Sequence, residues 1–131
     1  MDTSEQPQHI FCVNSHRELR AILHELFEEE HYQVTTTNFL PETFEQIEAL
    51  QPTLLIIDLS DVRPAGWALL EELSKAAATR RIPVVALSPD PSLVERAAAK
   101  GHQLHVQRVL SKPFDLDQIL DTVRSLIGPA G

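Results

Sequence analysis

The chain has 131 residues, a length that suits one domain and buries a core without disulfide or metal staples. Its 11 Lys and Arg against 19 Asp and Glu give a formal net charge of -8, which argues against a nucleic-acid-binding module, because phosphate contacts need clustered cations. The lone cysteine, Cys12, excludes an internal disulfide and reads as a small buried hydrophobe in a reducing cytosol, while no apolar run approaches the roughly 20 residues of a membrane span.

Residues 1–8 read as a polar N-terminal tail without a signal-peptide core. Ile10 to Val13 is a short apolar run that fits a buried strand. Leu19, Ile22, Leu23, Leu26 and Phe27 then recur at helical spacing and predict a core-facing stripe. Ser15 with Glu18 has the form of a capping box at its start. Tyr32, Val34 and Thr36 alternate with polar neighbours, the pattern of a half-exposed strand. Pro41 suits the first turn of a second helix, with Leu40, Phe44 and Ile47 on its inner face. Leu54-Leu55-Ile56-Ile57 is a continuous branched apolar run, as expected of a strand covered on both faces.

Asp58 closes that strand, and 59–66 reads as a loop broken by Pro64 and Gly66. Trp67, Leu70 and Leu73 begin a third helix that runs into an alanine stretch. Ile82 to Leu87 is another two-sided strand. A fourth helix is expected over 91–99 with Gly101 as its cap, and a fifth strand over Val106 to Leu110. Asp115 and Gln118 cap a fifth helix whose stripe is Leu116, Ile119, Leu120, Val123 and Ile127, ended by Gly128-Pro129. Five βα units in succession predict an α/β domain over 9–127, with a C-terminal tail over 128–131. Its sheet is parallel, with helices on both faces.

Such sheets hold their ligand beyond the carboxyl ends of the strands. That edge collects Asn14 and Ser15, Asp58, Ser88, and Ser111 with Lys112. A carboxylate, a hydroxyl and an ammonium together suit a phosphoryl group: the carboxylate as nucleophile, the other two as donors to its oxygens.

Ile56-Ile57-Asp58, Gly66, the run Pro83 to Ser88, and Lys112-Pro113-Phe114 resemble the receiver domain of two-component response regulators. The resemblance covers roughly 9–127. It implies a doubly wound, flavodoxin-like (βα)5 three-layer sandwich with strand order 2-1-3-4-5. It also implies that Asp58 is the phosphoacceptor, that Ser88 hydrogen-bonds the phosphoryl group, and that Lys112 pairs with Asp58 or the phosphoryl group. Pro113 matches a proline that often follows a cis peptide bond. Asp58 and the backbone carbonyl of Ser60 match magnesium ligands.

Two departures stand out. The acidic pair that completes the magnesium site in this family is replaced by Asn14 and Ser15, so magnesium binding is expected to be weak. Val109 stands where the family commonly places a rotating Tyr or Phe. Asp61 and His16 lie near the pocket in sequence, with a solvated loop charge and a surface histidine as their plainer readings.

The expectation is an atypical, cytoplasmic phosphorelay receiver, not an enzyme, acting through protein contacts. Its partner is a histidine kinase or phosphotransfer protein, or a constitutive protein partner, with a homodimer through the fourth-helix, fifth-strand and fifth-helix face as a further arrangement. No direct nucleic-acid or membrane contact is expected. The alternative is a working phosphoacceptor. A more remote one is an aspartyl-nucleophile phosphatase, for which Ser60 stands where a second acid is needed.

Overall fold

The computed structural model describes residues 8–59, 65–90, 92, 95 and 105–129. Its strands are β1 (His9–Val13), β2 (Gln33–Thr37), β3 (Leu54–Asp58), β4 (Val84–Ser88) and β5 (Arg108–Ser111). Its helices are α1 (Arg17–Glu29), α2 (Thr43–Leu50), α3 (Ala65–Lys75) and α4 (Leu116–Ile127). The strands form one parallel sheet in the order β2-β1-β3-β4-β5, the doubly wound order expected. The fourth predicted helix and Gly101 fall largely outside the described residues, although Ser92 and Glu95 are helical.

The continuous apolar runs follow from burial on two sides. Every residue of β1, β3 and β4 is buried. Alternate residues feed different cores. Ile10, Cys12, Leu54 and Ile56 meet Leu23 and Phe27 of α1 and Ile119 and Val123 of α4. Phe11, Val13, Leu55 and Ile57 meet Ile47 of α2 and Leu70 and Leu73 of α3. Full burial of a side chain such as Leu23 or Phe27 contributes about 1.5–3 kcal/mol. The edge strands β2 and β5 are only partly buried, which is why their sequences are more polar.

Several expectations are corrected. The capping box at Ser15 does not form, because α1 starts at Arg17 and its N-cap, His16, makes no side-chain cap bond. Ile22 and Leu116 sit on the outer flank of their helices and are 45% and 39% exposed. Leu40 precedes α2, which starts at Thr43, and is 42% exposed; the inner face there is Thr43 and Ile47, with Phe44 half-buried. Tyr32 lies outside β2 and is buried, its hydroxyl donating to the Gly128 carbonyl at 2.7 Å. Gly66 is no loop breaker but a buried residue of α3. A Cβ there would lie 3.1 Å from the Asp58 carbonyl oxygen, so the missing side chain lets α3 approach the end of β3.

The end of the chain matches its prediction. The Asp115 carboxylate accepts from the Gln118 N–H at 2.7 Å and caps α4. Elsewhere helices end on side-chain-bearing residues in the left-handed region, His31 at φ 72° after α1 and Gln51 at φ 47° after α2.

Candidate functional site

Parallel pairing brings the carboxyl ends of β3, β4 and β5 into step. Asp58 lies beside Leu87, and Ser88 beside Ser111. The Leu59 N–H donates to the Leu87 carbonyl at 2.7 Å, and the Lys112 N–H to the Ser88 carbonyl at 3.0 Å. Asp58 therefore sits at the mouth of the sheet with its side chain only 3% exposed. The Lys112 Nζ donates to Asp58 Oδ2 at 2.8 Å. The Lys112–Pro113 peptide is cis, as the resemblance implied.

Ser88 reaches the same edge and is fully buried. Its hydroxyl is turned to Asp90, donating to the Asp90 carbonyl and accepting from the Asp90 N–H, both at 3.1 Å. The structure thus brings Asp58 and Lys112 into contact and keeps Ser88 on its own loop. Ser60 and Asp61 lie outside the described residues.

The end of β1 is organised differently from the expectation. Asn14 is 1% exposed. Its Oδ1 accepts from the His16 N–H at 2.9 Å, and its carbonyl accepts from the Arg20 guanidinium at 2.8 Å. This side-chain turn two residues long is a habit of Asn and Asp, and it explains why Ser15 does not cap α1. Ser15 is half-buried beside it. The His16 imidazole then stands 3.8 Å from Asp58 Oδ2 with its side chain 56% exposed.

Arg20 was not singled out from the sequence. Its spacing was available: four residues after His16, one helical turn, it points back at the start of α1. Where a receiver pocket is usually acidic, Asp58 here faces the Lys112 ammonium and, further off, the His16 imidazole, while Asn14 and Arg20 order the start of α1. Among the described residues no group of three or more His, Cys, Asp or Glu is arranged so that it could hold a metal ion.

The response regulator receiver domain family matches residues 10–124 of this chain. The chain belongs to that family, whose members act in two-component signalling with histidine kinases or phosphotransfer proteins and commonly bind magnesium in this cleft. Response regulator Rre1 of Synechocystis is 30% identical over 86 residues, which cover 66% of this chain and 36% of that protein. The chain thus aligns with about a third of that relative's length.

The fold is shared with Vibrio cholerae chemotaxis protein CheY4, at a TM-score of 0.77 and 16% identity, with 92% of this chain and 99% of that one covered. The receiver domain of sensor histidine kinase PA1611 from Pseudomonas aeruginosa superposes at 0.76 and 18% identity, over 94% and 99% of the two chains. That structure holds a magnesium ion coordinated in its active-site cleft. No helix among the described residues is long and apolar enough to cross a membrane.

Proposed function

We propose that this chain is an atypical receiver module of a two-component pathway, with weak or no magnesium-dependent phosphorylation at Asp58, that acts through protein contacts. The observation that carries the reading is the commitment of Asn14. Its amide oxygen closes onto the start of α1 instead of facing the cleft. Magnesium takes oxygen donors, prefers carboxylates and sheds its waters reluctantly. Among the described residues the other carboxylates beyond the strand ends, Asp90 and Asp115, serve the Ser92 and Gln118 N–H groups, and the Asp58 Oδ2 already holds Lys112. This donor set does not fit the ion, so no step is derived through it.

Asp58 and Lys112 neutralise each other at rest. On this reading the paired state is the working state of the module. Val109 supports the same reading. It is half-buried against the α2–α3 core and lacks the volume of a rotating aromatic ring. On this reading the module is cytoplasmic and not an enzyme. Its partner is a histidine kinase, a phosphotransfer protein or a constitutive protein, met through the face built by the fourth predicted helix, β5 and α4.

A second reading keeps Asp58 as a working phosphoacceptor, with Ser88 and Lys112 serving the phosphoryl group. The direct Asp58–Lys112 contact favours it. Intact mass after incubation with acetyl phosphate, with and without magnesium, separates the two against Asp58→Asn. The atypical reading expects no added phosphoryl group, or a trace indifferent to magnesium. A stoichiometric, magnesium-dependent gain that Asp58→Asn abolishes overturns it.

A further inference from the structure

The rim opposite Asp58, at the amino ends of the strands, carries charge of both signs at separate places. No Asp or Glu occurs in 73–89 or in 96–111, although the chain as a whole is at -8. From these segments Arg80, Arg81, His105 and Arg108 are exposed at the amino ends of β4 and β5. Their backbone is fixed. The His105 N–H donates to Ser74 Oγ at 2.9 Å, and His105 Nδ1 lies 3.0 Å from the Arg80 carbonyl. The Val84 N–H donates to Gln107 Oε1 at 2.7 Å. Among the described residues Arg80, Arg81 and Arg108 have no carboxylate partner. Lys75, nearby, is taken by Glu71 at 4.0 Å.

The acidic counterpart lies on the same rim beside β2. Helix α1 ends there with Glu28, Glu29 and Glu30. Glu30 pairs with Arg124, and Glu28 lies 3.9 Å from the His24 imidazole. Glu28 and Glu29 are exposed; Glu48 is exposed too, but on the other layer near the start of β3, where the Gln51 amide donates to both the Glu48 and the Ala78 carbonyls. The strand order puts β2 and β5 on opposite sheet edges, four strand spacings or about 19 Å apart.

We infer that a second copy of this chain docks rim to rim, about a two-fold axis normal to the sheet. That rotation reverses the strand order but keeps the two layers, so it sets Glu28 and Glu29 of the α1 layer against the partner's Arg108 at the β5 edge and Glu48 of the α2–α3 layer against the partner's Arg80 and Arg81, and does so twice, as an isologous interface requires. Arginine suits the match because its fork bonds carboxylates bidentately. A long polyanion suits it less, since it could answer the arginines but has no cation to offer Glu28 and Glu29, whereas a second copy answers both patches. The dimer leaves both the Asp58 edge and the β5–α4 face open. It rests on charge placement and is independent of whether Asp58 is phosphorylated.

The test is sedimentation equilibrium of the chain and two charge-reversed variants, Arg80→Glu/Arg108→Glu and Glu28→Lys/Glu29→Lys. Exposed ion pairs are individually weak, so the dimer is expected to be weak and its dissociation constant to rise at least about tenfold between about 0.01 and 1 M salt, as the screening length falls from about 30 to 3 Å. Each variant alone is expected to be monomeric, and an equal mixture to recover dimer. Unchanged urea midpoints establish that the variants are folded; the salt series on the unaltered chain stands without them. Monomer throughout at low salt, a dimer indifferent to salt and charge reversal, or growth beyond two copies overturns the proposal.

Discussion

Replacing Lys112 by methionine keeps the stem and removes the ammonium that holds Asp58. The carboxylate it abandons is 3% exposed, and the pair is 2.8 Å long. At an effective dielectric constant of about 20, unit charges at that separation attract by about 6 kcal/mol, much of it offset by desolvation. Removing one member of a buried pair costs about 3–5 kcal/mol, because the other is stranded. Lys112 is 23% exposed, so water relieves part of the loss. The expected destabilisation is therefore at the lower end, about 3 kcal/mol. With a urea m-value of about 2 kcal/mol/M the midpoint falls by about 1.5 M. Asp58→Asn in the same background removes the stranded charge and is expected to return most of that loss. A Lys112→Met chain destabilised by less than about 1 kcal/mol refutes the reasoning, and so does a double variant no more stable than the single one.

Gly66→Val places branched carbons against the Asp58 carbonyl oxygen and Leu59 Cδ2, each already 3.1 Å from a bare Cβ; a loss of about 2 kcal/mol in urea unfolding is expected, since backbone yields poorly. Burial lowers the His9 pKa from its ordinary 6.5, so the unfolded chain binds a proton that the folded one refuses. The stability His9 contributes is present above pH 6.5 and is lost as pH falls through the lowered value, so chemical denaturation between about pH 7 and 5 should show a shallower loss for His9→Gln. Burial pushes the Cys12 thiol up to about 12, so Ellman's reagent at pH near 8 should find no thiol in the folded chain and one after unfolding; prompt labelling of the native protein contradicts the packing of β1.

The five-unit alternation was legible because each inner strand is buried on both faces and so carries a run that admits little else. Asp58 and Lys112 were legible because strand ends fix the edge where side chains converge. The start of α1 was not. Ser15-x-x-Glu18 and Asn14-x-His16 are competing local bonds, and which one forms depends on where β1 releases the chain; the Asn14 N–H is held by the Thr37 carbonyl at 3.0 Å, which sets the entry one residue later. Leu40, Ile22 and Leu116 were misplaced for a related reason. Helical spacing marks an apolar face but not how wide a stripe the neighbouring layer covers.

The same local choice bears on signalling. A carboxylate at position 14 could bond the His16 N–H with one oxygen and offer the other, with its charge, to a cation; an amide has a single uncharged acceptor oxygen, which here already accepts from His16. Restoring charge therefore separates helix capping from metal binding. Asn14→Asp with Ser15→Asp is expected to keep the fold, bring two carboxylates beside Asp58, and create a magnesium dependence in urea unfolding that the unaltered chain lacks. The two new charges repel Asp58, so without metal the variant should be less stable, by about 1–2 kcal/mol, and saturating magnesium should return that loss. If the unaltered chain is already stabilised by millimolar magnesium, a donor outside the described residues completes the site, and the atypical reading falls with it.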